Sequence, residues 1–271
     1  MNAGRPVPGS VKSGIMALLL AVGTGLFPGP ARAESCALSS QHAGVTFPVE
    51  RVDADWACRL QSVIGDHTTA NKIGPLRTAL SETMYRYLLD RPPLAAALID
   101  RLGLARYQAE ARAPGRYWGA DGEGIQGLVQ LVYEDPTSRI YFLEGTHGKR
   151  FLPQMSGKAV VLLRMHAVKE PDGTDAMDST MIAYTKLDNR LLSGLVSLLR
   201  PLVGGVVMRK LTRGVETVNR LGQEMRQRPD RVLLKAAEPP PLAAQDVAFL
   251  KDALSGLPPP GPASRPEGRR P

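Results

Sequence analysis

Between Arg116 and Arg228 the periodicity of hydrophobic residues changes once, near Asn189, and that change constrains the fold more than any other feature of the chain. Before it, Gly127–Tyr133, Arg139–Glu144, Ala159–Val168 and Asp178–Leu187 are rich in Val, Ile, Leu and Tyr and are separated by turn residues. Such runs read as β-strands. The turns Glu134-Asp135-Pro136-Thr137-Ser138 and Pro171-Asp172-Gly173 make their neighbours antiparallel hairpins. Tyr107–Ala111 and Arg116–Ala120 add a further pair around Ala113-Pro114-Gly115, so about six antiparallel strands are predicted. After Asn189 the spacing is helical almost to Pro229. Pro201 and Gly204-Gly205 are expected to separate a short leading helix from a long one. In the long helix Val207, Leu211, Gly214, Val218, Leu221 and Met225 form one apolar stripe, with Arg209, Lys210, Arg213, Glu216, Arg220 and Arg226 on the other faces. Leu211 and Val218 are therefore expected to be buried, and Arg213 and Arg220 exposed.

The chain begins with a segment of a different kind. Arg5 and Lys12 precede an apolar run, Gly14 to Phe27, and Ala31-Arg32-Ala33 is a small-x-small cleavage pattern. Residues 1–33 read as a secretory signal peptide cut before Glu34, which places the remainder in the periplasm or outside the cell; a membrane anchor is the alternative. The chain of 271 residues carries a net charge of +8. The leader holds three of its basic residues and no acid. The mild basic balance of the rest suits both an ordinary solvated surface and contact with an anionic membrane surface. Export and the lack of any basic-aromatic motif argue against nucleic acid. The two cysteines, Cys36 and Cys58, would meet an oxidising compartment, and a disulfide is the natural reading. Two unpaired thiols are the alternative.

Residues 34–74 are expected to form an extended segment with a short helix over Asp53–Ile64, then a loop at Asp66-His67-Thr68-Thr69. Helical spacing is taken to begin at Pro75 and to continue in a further helix opening with Pro92-Pro93. Residues 229–271 are Pro- and Ala-rich and are expected to be a largely disordered tail, with one or two isolated helical turns between Ala243 and Leu254.

Tyr85–Pro92, Gly157–Leu163 and the passage from Thr180–Asn189 through Leu198–Leu202 to Arg209-Lys210 carry a family resemblance. The order of helices, antiparallel sheet and long C-terminal helix over Pro75–Arg228 resembles the helix-grip fold of the START and polyketide-cyclase (SRPBCC) superfamily. The resemblance implies an α+β domain in which a curved sheet is closed by the long helix. It also implies that a lipid or other hydrophobic small molecule is held between them. On that reading Met165, Met181, Val207, Leu211, Gly214 and Val218 line the binding space. The fold usually has a strand before its first helices, and Val45–Val52 is the segment expected to supply it.

No nucleophile elbow, metal-binding histidine pair, phosphate loop or dinucleotide fingerprint is present in the sequence, so no catalytic residue, metal or cofactor is assigned. Arg164 and His166 share a strand face opposite Leu163, Met165 and Ala167 and are expected on the exposed side. Tyr117, Tyr141 and Tyr184 are strand tyrosines able to hydrogen-bond a head group. Asp121-Gly122-Glu123-Gly124 has acidic spacing but reads as a turn rather than a cation loop. Three function classes follow: a periplasmic carrier of a lipid-like ligand, a cyclase- or hydrolase-like enzyme on the same scaffold, and a structural envelope protein without a ligand.

Overall fold

The computed structural model describes residues 36–148, 155–188 and 196–255. The leader and the extreme C-terminus, from 256 onward, lie outside them. Among the described residues no helix is long and apolar enough to cross a membrane.

The described chain opens with a small hairpin, β1 (Gln41–His42) against β2 (Val45–Thr46). A single 3₁₀ turn, Val49–Arg51, leads to helix α1 (Ala54–Ile64), whose N-terminus is capped by the Asp53 side chain accepting from the Asp55 N–H. Cys36 and Cys58 are disulfide-bonded, which ties the N-terminal segment to α1. The remaining elements are β3 (Thr69–Thr78), α2 (Glu82–Asp90), α3 (Pro92–Arg101), β4 (Gln108–Ala113), β5 (Arg116–Ala120), β6 (Ile125–Glu134), β7 (Ser138–His147), β8 (Met155–Lys169), β9 (Asp175–Leu187), α4 (Val196–Gln227), α5 (Pro229–Ala237) and α6 (Ala244–Ser255).

The result is an α+β fold with a seven-stranded antiparallel sheet in the order β3-β9-β8-β7-β6-β5-β4, which does not close on itself. From β4 to β9 each strand pairs with its sequence neighbour, so hairpin turns set the register. The long-range addition is β3, which joins the far edge against β9.

That strand corrects two expectations. Thr69–Thr78 is neither loop nor the start of a helix. Leu76, Leu80 and Met84 stand at four-residue intervals and imitate a helical face. Yet Gly74-Pro75 falls inside the strand, where the register with β9 shifts between Ile73 and Leu76. The helix begins only after Ser81, whose side chain caps the Met84 N–H. The strand ahead of α2 is thus Thr69–Thr78, whereas Val45–Val52 contributes only β2 and the 3₁₀ turn. A domain boundary at residue 74 would cut through β3.

The sheet separates two cores. The outer face carries Ile140, Phe142, Val160, Leu162, Ile182 and Tyr184, covered by Phe47, Val49 and Val52 and by Leu60 and Val63 of α1. The inner face carries Leu163, Met165 and Met177, covered by Leu80, Met84, Tyr85 and Leu88 of the α2 region and by Leu221 and Met225 of α4. Alternation along each strand sends neighbouring residues to opposite cores.

The tail expectation is corrected too. α5 and α6 are ordered, and Val232, Ala236, Leu250 and Leu254 are buried in the inner core. Each helix presents an i, i+4 pair to the core, and the prolines between them end one helix rather than unfold the chain. Arg101 of α3 donates to the carbonyls of Lys235, Glu238 and Pro240, satisfying the open C-terminal end of α5. Tyr87 stacks on Phe249 with ring centroids 3.4 Å apart and donates to Asp246 at 2.7 Å. The helix after the sheet also differs from expectation. α4 runs unbroken from Val196 to Gln227, through Pro201 and Gly204-Gly205.

Candidate functional site

α4 lies along β3 on the inner face. Thr78 on the sheet donates to the Asn219 side chain at 2.6 Å, and a Cβ on Gly222 would lie 3.2 Å from Leu80 and Thr78. Near the other end of the strand, a Cβ on Gly204 would stand 3.7 Å from Thr69. The helix therefore follows β3 from Thr69 to Thr78 and reaches Leu80 just beyond it.

Strand register arranges the inner face in rungs. The deepest pairs Met165 with Ser179 and Leu76. Next come Arg139, Leu163, Met181 and Ile73, then Leu131, Tyr141, Val161, Ala183 and Asn71. Beyond these lie Tyr117, Val129, Leu143, Ala159, Thr185 and Thr69. The last rung is Gly119, Gly127, Gly145, Gly157 and Leu187, a line of four glycines on four adjacent strands.

Burial falls along these rungs. Met165 is 0% and Leu163 9% exposed, whereas Val161, Leu131, Val129, Leu143 and Ala159 are only half-buried. The helix thins in step. Leu221 and Met225 are sealed, but Val207, Leu211, Gly214 and Val218 are half-buried, and a Cβ added to Gly214 would meet nothing within 4 Å. An apolar strip of sheet and an apolar strip of helix thus run toward the glycine line without filling each other's surface.

The expected lining residues divide accordingly. Val207, Leu211, Gly214 and Val218 lie on the unfilled part of the stripe, and Leu211 and Val218 are less buried than expected. Met181 is half-buried and packs against the inner core. Met165 is part of the solid core among Leu163, Met177, Leu221 and Met225. Arg213 and Arg220 are exposed, as expected.

Two polar features frame the strip. At its outer end the β5–β6 turn reaches the helix. Lys210 of α4 donates to Asp121 at 2.7 Å and to Glu123 at 2.5 Å, and Arg213 pairs with Glu123. Asp121 also accepts the backbone N–H groups of Glu123 and Ile125, which shapes the turn. Burial works against its charge, but Lys210 and these N–H groups outweigh that and hold its pKa below the usual carboxylate value. No group of three or more potential metal ligands occurs among the described residues.

At the inner end sit Arg139, Tyr141, Tyr85 and Ser179. The Arg139 side chain is 5% exposed and pairs with Asp90 at 2.5 Å. Tyr141 interacts with its guanidinium, and Tyr85 with Ser179. Burial pushes both tyrosines' pKa up, so near neutrality they are uncharged hydroxyl donors. Arg139 Nε is buried and has no hydrogen-bond partner. Of these, only Tyr141 stood among the sequence candidates. Arg139 could have been found by strand alternation, since it shares a face with Tyr141 and Leu143.

Other candidates lie elsewhere. Tyr184 is on the outer face, 3.1 Å from His42. Tyr117 donates to the Asp90 carbonyl at 3.2 Å. Arg164 is on the outer face, bonded to Ser138 at 2.8 Å, and His166 is exposed. An open depression of about 400 Å³ also occupies the outer face, lined by Trp118, Leu128, Glu144 and Lys158 among others.

No family model and no protein of established description matches the chain. Solved structures do resemble it. A conserved protein from Geobacillus kaustophilus is 10% identical with a TM-score of 0.40, covering 57% of this chain and 95% of that one. An uncharacterised protein from Rhizobium leguminosarum is 14% identical with a TM-score of 0.35, over 58% and 97% of the two chains. The Mll3558 protein from Rhizobium loti is 12% identical with a TM-score of 0.34, over 56% and 96%. At these identities and scores none of the three assigns a function to this chain.

Proposed function

We propose that this chain is an exported binding protein of the helix-grip type, holding a hydrophobic, lipid-like ligand between the inner sheet face and α4. The observation that carries the reading is the unfilled apolar stripe, in which Val207, Leu211 and Val218 stay half-buried and Gly214 has open space above it. Half-covered apolar surface on both sides of a gap is what an apolar ligand completes. The disulfide agrees with an oxidising compartment.

Native mass spectrometry and lipid extraction of the protein recovered from the periplasm test the reading, alongside displacement of the fluorescent probe N-phenyl-1-naphthylamine. A co-purifying hydrophobic molecule that displaces the probe is the expected result. Absence of both a retained molecule and any probe binding would overturn it.

A further inference from the structure

We propose that the inner end of this strip is an acid-head-group site, so that the ligand is a carboxylic acid on an apolar tail, held by Arg139 with Tyr141 and Tyr85. This rests on the binding reading above and adds the chemical class of the ligand.

The argument begins with a buried charge. A guanidinium carries five N–H donors in a fixed fork. Asp90 accepts from Nη2, and Glu134 lies 3.4 Å from the same nitrogen. Nε, buried, has no acceptor. A buried donor without a partner is uncommon and asks for an acceptor. The charges are also unevenly placed. The Arg139 side chain is 5% exposed, while those of Asp90 and Glu134 are 47% and 56% exposed. Water screens the two carboxylates far more than it screens the guanidinium, so an anion approaching from the protein side meets a positive site. The two tyrosines add hydroxyls, which burial keeps protonated, to the same end of the strip.

Position completes the case. Arg139 shares the rung of the sealed Leu163, and Tyr141 shares the next rung with the half-buried Val161, beyond which lie Leu143 and Val129. A ligand with its acid on Arg139 would lay its tail over those apolar rungs toward the glycine line. From Arg139 to Gly145 the strand spans six residues, about 20 Å at the usual strand rise. That length suits a medium or long alkyl chain.

Binding of dodecanoate, methyl dodecanoate and dodecanol is to be measured by probe displacement at pH 8, on the wild type and on Arg139→Gln, Tyr141→Phe and Asp90→Asn, with circular dichroism to check folding. The wild type is expected to bind the acid at least tenfold tighter than the ester or the alcohol. Arg139→Gln removes that preference while leaving ester affinity within about twofold, and Tyr141→Phe reduces it. Asp90→Asn, which releases Arg139 from its solvent-side partner, tightens acid binding and not ester binding. That gain is one a purely structural role for the pair would not give, and it keeps the test decisive if Arg139→Gln fails to fold. Equal binding of acid and ester by the wild type, or no change of preference in Tyr141→Phe and Asp90→Asn, overturns the head-group assignment and leaves the carrier reading standing. Failure of all three compounds to displace a bound probe overturns the head-group site alone, whereas absence of both a retained molecule and any probe binding overturns the carrier reading, and the head-group site with it.

Discussion

Gly127 and Gly145 are paired across β6 and β7, and a Cβ on Gly127 would lie 2.6 Å from the Gly145 Cα and 2.3 Å from the Glu144 carbonyl oxygen. Both obstacles are backbone and cannot rotate away. With Gly119 and Gly157 these residues make a line without side chains across four strands. Glycine lines are a means by which sheets bend. Here the line runs just below the β5–β6 turn that reaches Lys210 on α4.

Gly127→Val is therefore expected to destabilise by about 3 kcal/mol or more, at the upper end for overpacking. For a domain of this size that is a fall in Tm of roughly 6–12 °C. Gly119→Ala serves as control within the same line. Its Cβ would meet only the Gln108 carbonyl at 3.5 Å, an ordinary contact. Thermal melts in which the two variants are equally damaged would show that the line is not a close approach.

Gly214 and Gly222, both in α4, should behave in opposite ways. Glycine inside a helix is worse than alanine by about 1 kcal/mol. Gly214→Ala adds a Cβ into open space and should recover most of that. Gly222→Ala meets Leu80 and Thr78 at 3.2 Å, so crowding offsets the same gain. Gly214→Leu should also leave the fold intact while lowering affinity for an apolar probe, because its side chain enters the unfilled strip. Urea titrations of the three variants, with probe binding, check this. A marked loss of stability in Gly214→Leu would mean that the stripe is closely packed there.

How much of this was legible in the sequence depends on the range of the interaction involved. β6 to β9 could be read because turns join neighbouring strands and every pairing is local in sequence. The α4 stripe could be read because one face keeps a regular spacing from Val207 to Met225, about five turns. β3 could not, since its partner β9 is more than a hundred residues away and its own Leu76 has helical spacing with Leu80 and Met84. α5 and α6 were hidden because they are short and lie in a Pro- and Ala-rich stretch that reads as disordered, although each has an apolar pair for the core, and because Arg101, which caps α5, is remote in sequence. The glycine line was invisible for the same reason as β3. Gly119, Gly127, Gly145 and Gly157 look scattered until the register aligns them. Of the candidate site, the helix side was legible and strand alternation put Arg139 on the face of Tyr141, but the pairing of Arg139 with Asp90 of α2 was not legible, because it joins residues remote in sequence.

The Cys36–Cys58 bond closes a loop with a sequence separation of 22. In the chain-entropy picture, removing such a cross-link costs on the order of 3 kcal/mol. The loop contains His42, Phe47, Val49 and Val52, which cover the outer face, so the loss should also loosen that cover. Reduced protein, or Cys36→Ser with Cys58→Ser, is expected to melt lower and to exchange amide hydrogens faster in residues 41–52. Thiol titration of denatured, unreduced protein should find no free thiol. Two per chain would rule the bond out.

His42 should make stability depend on pH. It is 3% exposed, Nδ1 lies 3.1 Å from the Tyr184 hydroxyl, and Nε2 is buried without a hydrogen-bond partner. Phe47 and Tyr184 rings surround it, and the Lys72 ammonium is bonded to the neighbouring Ala43 carbonyl. Burial is the main cause that lowers its pKa from 6.5, a backbone contact with Ser39 opposing it in part. The folded state therefore resists a proton that the unfolded chain takes up at about 6.5. Stability is complete above that pH and falls as pH drops below it, until the folded-state pKa is passed. Asp121, Asp135 and Asp178, whose pKa values are held below 3.8, act at lower pH and leave this window clear. Urea unfolding between pH 8 and 5 should show the wild type losing stability with acid, and His42→Gln should show a shallower slope. The same slope in both proteins would place the pH dependence elsewhere and leave His42 a packing residue on the outer face.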